Sequence, residues 1–154
     1  MWARASFNFR YSATVDNDCA IGIEFRADSG GLPDGSNRVY LYLNETDTNT
    51  IQCQAGRQTA GVDSSTLTFD LGPQTAGTDS LLQTACYIGI QKIGTTFNFF
   101  LGQPGGNWTQ LTSQTSAVSL VYLQLSMGNV STTTPGNMLM GFDFLRFYAG
   151  RYLP

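Results

Sequence analysis

The stretch Lys92–Leu111, KIGTTFNFFLGQPGGNWTQL, decides the fold. It holds two runs of β-type residues and two different clusters of turn formers. Leading into it, Ile88, Ile90 and Lys92 alternate with Tyr87, Gly89, Gln91 and Ile93, which is the period of a half-buried strand. Gly94-Thr95 then makes a short turn, and TFNFFL runs back with Phe97, Phe99 and Leu101 on one face. In Gln103-Pro104-Gly105-Gly106 proline stands second and glycine third, the preference of a type II turn. NWTQL opens the next strand. The segment reads as a hairpin followed by a turn into a third strand.

The same alternation extends in both directions. In ASFNFRY, Phe7, Phe9 and Tyr11 share a face; in CAIGIEF, Cys19, Ile21, Ile23 and Phe25 lie opposite Glu24; in RVYLYL, Val39, Leu41 and Leu43 lie opposite Tyr40 and Tyr42. TIQCQA, STLTFDL, AVSLVYLQLSM and MGFDFLRFYA complete a set of about ten short strands, and no segment carries a 3.6-residue stripe. No internal repeat and no break in composition divides the chain, so residues 1–154 form a single domain. A chain of this length buries about 70% of its unfolded surface. The connections ADSGGLPDGSNR, RQTAGVDSS, GPQTAGTDS and GNVSTTTPGN are long and polar, with Leu32-Pro33-Asp34-Gly35 suited to a type I turn. Long connections fit strands that cross between two layers. The expected fold is all-β: a two-sheet antiparallel β-sandwich of jelly-roll type.

The run YIGIQKIGTTFNFFLGQPGGNWTQL, with GFDFLRFYAG near the end and CAIGIEFRAD before RVYLYL, resembles the concanavalin A-like, laminin-G-type sandwich families. The resemblance covers about three quarters of the chain by pattern and implies the same jelly-roll sandwich. Such domains carry further strand material before the first matched segment, which raises the expectation of an open sheet edge that a partner chain completes. The family also implies a rim that can hold calcium. Here VDND places Asp16 and Asp18 in one loop, oxygen ligands suited to a hard cation, although an Asx-type turn explains the same residues and is preferred. No other cofactor is expected.

Composition excludes several classes of function. The formal net charge is −3, Lys92 is the only lysine and charged residues make up 12% of the chain, which leaves no electrostatic footprint for a nucleic acid or an anionic membrane. No apolar run approaches the roughly 20 residues of a spanning helix, and MWARASFNFR lacks the apolar core of a signal peptide. Histidine is absent, removing Ser-His-Asp triads, Cys-His pairs and His-based zinc sites. Concanavalin-like glycosidases use paired carboxylates about 5 Å apart. The only glutamates, Glu24 and Glu45, do not form such a strand pattern. The chain is expected not to be an enzyme.

Glycan recognition by a β-sandwich uses aromatic faces flanked by amides. Tyr40 and Tyr42, opposite the apolar row of their strand, are the first candidates, and Asn107 and Trp108 at a loop edge are the second. Packing competes with both: strand tyrosines pack across strands, and the preferred reading of Trp108 is a plug at the end of the core. Cys19, Cys53 and Cys86 are each in phase with core aliphatics and read as buried thiols, with one disulfide plus a leftover thiol as the alternative. Buried thiols fit assembly in a reducing cytoplasm. In GFDFLRFYA both faces are apolar and Asp143 wants a partner such as Arg10 or Arg26, so a covering subunit, and with it a homo-oligomer, is expected. The expected function is a non-enzymatic structural or recognition module of an external assembly. The type expected is a phage virion surface protein: a fibre, receptor-binding or capsid-decorating unit. The alternative is a lectin-like carbohydrate-binding module of a secreted or cell-surface protein. The expected partners are other copies of the chain, other subunits of the assembly and a cell-surface glycan.

Overall fold

The computed structural model describes residues 2–10, 19–46, 50–73, 86–102, 107–129 and 139–148, with side chains for 20–43, 52–64, 67–69, 87–102 and 107–126. All regular structure among the described residues is strand. The elements are β1 (Trp2–Arg10), β2 (Cys19–Ser29), β3 (Leu32–Thr46), β4 (Thr50–Thr59), β5 (Val62–Pro73), β6 (Cys86–Ile93), β7 (Thr96–Gly102), β8 (Trp108–Thr115), β9 (Leu120–Asn129) and β10 (Leu139–Tyr148). Each matches one alternating segment of the sequence. They form two antiparallel five-stranded sheets, ordered β10-β1-β6-β7-β8 and β5-β4-β3-β2-β9.

The inward faces are those the alternation selects. Across the second sheet, Leu125, Ile23, Leu41, Ala55 and Leu67 form one register row, and its centre is fully buried. Ile88, Ile90, Phe97 and Phe99 face them from the first sheet. Phe25 and Phe97 join the layers with ring centroids 5.5 Å apart and planes tilted by 57°. Cys53 lies buried in the core at its in-phase position. The side chains of Cys19, Cys86 and the final strand lie outside the described residues, as does the 103–106 turn.

Two connections differ from the sequence reading. ADSGGLPDGSNR is not one long loop: Gly30 and Gly31 (φ 66° and 88°) make a two-residue hairpin, and Leu32 already pairs with Ser29. The expected Leu32–Gly35 turn is replaced by a bulge, since Arg26 pairs with Arg38 while Ala27 pairs with Asp34. Asp34 secures it by accepting hydrogen bonds from the Ser36 amide (2.8 Å), the Ser36 hydroxyl (2.6 Å) and the Asn37 amide group (2.8 Å). RQTAGVDSS likewise closes on Ala60 and Gly61 (φ 50° and 80°). Both hairpins need two consecutive left-handed residues, the type I′ requirement. Four connections cross between the sheets: the longer ones between β1 and β2, β5 and β6, and β9 and β10, as expected of long connections, and also the short 116–119 segment between β8 and β9.

Ala60 is the described non-glycine residue held at positive φ, where a Cβ costs about 1–2 kcal/mol. Ala60→Gly is therefore expected to raise the free energy of unfolding by about 0.5–1 kcal/mol, net of the extra chain entropy of glycine. Urea denaturation measures this, and a destabilised variant would contradict the turn assignment.

Candidate functional site

Because Ile21, Ile23 and Phe25 must face the core, their alternating neighbours face outward. Register then builds a continuous outer surface on the second sheet. Its rows are Ser126–Gly22–Tyr42–Gln54–Thr68, Gln124–Glu24–Tyr40–Gly56, and Tyr122–Arg26–Arg38–Gln58–Asp63. The face is polar throughout, yet Glu24 at its centre is fully buried.

A buried carboxylate survives only if it is paired and hydrogen-bonded. Arg26 Nε donates to Glu24 Oε2 at 2.6 Å. The Tyr42 hydroxyl donates a hydrogen bond to Glu24 Oε1. Arg38 Nη1 lies 3.6 Å from Oε2 and 3.3 Å from the Tyr42 oxygen. Burial pushes the Glu24 carboxyl up, but hydrogen bonds from Arg26, Tyr42 and Ser126, with the Arg26 charge, outweigh it and hold the group below its ordinary value. Burial and the neighbouring carboxylate both push the Tyr42 phenol up, so it stays protonated and donating.

The tyrosines are packed into this network. Their rings stack at 4.7 Å with planes 16° apart, the Arg38 guanidinium sits 5.3 Å from the Tyr40 ring centre, and the Tyr40 hydroxyl donates to Asp63 at 3.2 Å. Glycines make the room. A Cβ at Gly56 would strike the hydroxyl end of Tyr40, and one at Gly22 would strike the Leu41 carbonyl and the Tyr42 ring.

Tyr40 and Tyr42 do lie on the outward face, as the alternation indicates. Tyr40 is nevertheless only 3% exposed, so the pair is not an open aromatic platform; the half-exposed Tyr42, Arg38, Gln54, Gln58 and Gln124 present the surface instead. Trp108 is not a core plug. It pairs with Gly102, which pairs with Tyr87, one residue out of phase with the inward Ile88–Leu101 pair. Its ring passes over Gly102, where a Cβ would lie 3.0 Å away, and meets Tyr87 at 6.0 Å. Trp108 thus belongs to the outer face of the other sheet, beside the exposed Asn107, and cannot share a site with Tyr40 and Tyr42. Asp16 and Asp18 lie outside the described residues. Among the described residues no group of acidic, cysteine or histidine side chains is placed to hold a metal ion. Read from sequence, Glu24 is weighed only as a catalytic carboxylate and Arg26 as a partner for Asp143; the structure commits Arg26 to Glu24 instead, and Arg38 gives no signal beyond sharing the outward phase of its strand with Tyr40 and Tyr42.

Two outcomes follow from this geometry. Glu24 is held below the ordinary carboxyl value of 4.5, so its stabilisation is full above that pH and is lost as pH falls through the folded value. Glu24→Gln is expected to lower stability near neutrality and to flatten the acid loss below about pH 5, read from urea midpoints across pH. A variant with the wild-type slope would contradict the assignment. Gly22→Ala meets backbone as well as a ring, so it is expected to cost about 2–3 kcal/mol, more than Gly56→Ala, which only displaces the end of Tyr40. Equal costs in thermal or urea unfolding would overturn that distinction.

No protein-family model matches the chain, and no curated protein matches it in sequence. Among solved structures, a functionally unknown protein from Saccharomyces cerevisiae is similar, with a TM-score of 0.66 and 12% identity over 98% of this chain and 70% of that one. At that identity the likeness shows the fold alone, an all-β two-sheet sandwich.

Proposed function

We propose that the chain is a non-enzymatic recognition module of the concanavalin A-like class, working in an external assembly of the phage virion-surface type. It meets a glycan on the outer face of the sheet β5-β4-β3-β2-β9. The observation that carries this reading is the polar, hydrogen-bonded surface around Tyr42, in which Gln54, Gln58, Gln124 and Ser126 flank a phenol and a guanidinium. Sugar hydroxyls each donate and accept, and primary amides do the same. The strands fix the backbone beneath these amides, so binding costs only their side-chain rotamer freedom.

The face favours binding over catalysis. Glu24, its central carboxylate, is buried and committed to Arg26 and Tyr42. A glycosidase needs a pair of carboxylates reaching the scissile bond, and the lack of histidine removes the commonest alternative base. The assembly context rests on composition: Thr-, Gly- and Asn-rich, with one lysine among 154 residues.

The test is a screen of neutral and acidic glycans against the purified protein, followed by titration calorimetry of any hit. Gln54→Ala and Gln124→Ala change half-exposed side chains and should leave unfolding unchanged. Each is expected to weaken binding by about tenfold, the loss of one or two buried hydrogen bonds. No glycan binding, or binding that survives both changes and is lost with Trp108→Ala, would refute this location.

A further inference from the structure

Arg26 and Arg38 stand side by side, register partners on β2 and β3 in the outer row Tyr122–Arg26–Arg38–Gln58–Asp63. Between them they serve a single buried carboxylate. Glu24 is satisfied without Arg38: Arg26 Nε takes Oε2 at 2.6 Å, the Tyr42 hydroxyl takes Oε1, and Ser126 adds a further hydrogen bond. Arg38 reaches the pair only at long range, with Nη1 3.3 Å from the Tyr42 oxygen and 3.6 Å from Oε2. Charge-assisted hydrogen bonds run at about 2.7–2.9 Å. Arg38 is the surplus cation of the face.

Packing, not hydrogen bonding, fixes its orientation. The guanidinium lies 5.3 Å from the Tyr40 ring centre, and Nε is buried with no hydrogen-bond partner among the described residues. Arg38 Nη2 and both Nη groups of Arg26 are likewise unbonded among the described residues, but they are not buried. The side chains are 18% exposed for Arg26 and 25% for Arg38, sunk enough to strengthen a charge and open enough to be reached. Gly35 keeps the Arg26 edge clear, since a Cβ there would lie 3.3 Å from Nη1.

We infer that Arg38, with Arg26 beside it, is a seat for one carboxylate, so that the glycan met by this face carries a uronic or sialic acid. This rests on the glycan reading given above. Two guanidinium groups against one carboxylate leave a positive charge uncompensated at a half-buried position. A planar carboxylate matches the planar fork of donors and can be gripped on both oxygens. Gln58, next in the row, spends its Nε2 on the Gly61 carbonyl at 3.2 Å and keeps its own carbonyl for a sugar hydroxyl. Aspartates limit the charge that the seat accepts. Asp34 is held by Ser36 and Asn37, Asp63 by the Tyr40 hydroxyl, and Asp28 by the Gly31 amide and the Tyr122 hydroxyl. Asp34 feels the Arg26 charge without a hydrogen bond to it. These negative charges stay at the margins of the row, so a single carboxylate fits where a densely sulfated chain is repelled.

Titration calorimetry of the full chain with trigalacturonate, sialyllactose and the carboxyl-reduced form of each tests this. At least one acidic sugar is expected to bind, and its reduced form to bind at least about tenfold more weakly, having lost the charge-assisted hydrogen bonds. Sodium chloride should weaken the acidic ligand alone. Arg38→Lys keeps the charge but removes the fork; it is expected to cost the acidic ligand about tenfold and the reduced form nothing. Arg38→Gln should erase the difference between the two forms, and circular dichroism checks that both variants stay folded. Equal affinity for acidic and reduced forms, or acidic binding untouched in both variants, would overturn the carboxylate seat and leave the glycan reading standing. Binding to no glycan at all would overturn both. Preference for heparin, or binding of polyglutamate in place of any sugar, would also overturn the inference.

Discussion

The outer face of the sheet β5-β4-β3-β2-β9 depends on how the Glu24 charge is compensated. The core requires Ile23 and Phe25 to point inward, so strand geometry sends Glu24 outward between them. Once there, its neighbours cover it and water no longer solvates it. Arg26 and Tyr42 supply the donors. With Tyr42 fixed, Tyr40 can only stack beside it, and Arg38 settles between the Tyr40 ring and the carboxylate. Gly22 and Gly56 are consequences of the same arrangement, since any larger residue would occupy the space the rings need. The face is therefore a small polar core in its own right. Replacing such a network with apolar residues is often neutral for stability, whereas removing one member strands the others. Its value lies in fixing the positions of surface groups.

The ten strands were legible because alternation is a local property. So was the inward row, including Cys53. Pairing was not legible, because register depends on where each hairpin turns. Pro33-Asp34-Gly35 looks like a turn by composition, but Gly30-Gly31 satisfies two consecutive left-handed positions at no steric cost and closes the hairpin first. Ala60 gives no turn signal at all; its neighbour Gly61 and the pairing of the flanking strands hold it there. Without register, Glu24 on β2 and Tyr42 on β3 could not be brought together on paper, although each was assigned to the right face of its own strand.

Trp108 shows the opposite kind of error. Its phase was available: it alternates with Gln110, while Leu111 packs against the core after the bulge opposite Phe99 and Phe100. The expectation that a tryptophan after a turn fills the core overrode that phase. The consequence is that the two aromatic candidates, grouped by residue type, lie on opposite outer faces of the molecule. Recognition of a ligand by this fold has to be attributed to one face or the other, and the half-exposed amides beside Tyr42 favour the second sheet.

Glu24 and Tyr42 act as one unit in organising that face. A double-mutant cycle on unfolding free energy, comparing Glu24→Gln, Tyr42→Phe and the pair, measures it directly. Coupling of at least about 1 kcal/mol is expected for residues in one buried network. Costs that add to within about 0.3 kcal/mol would mean that the two side chains stabilise the protein separately, and that the face has no such organising centre.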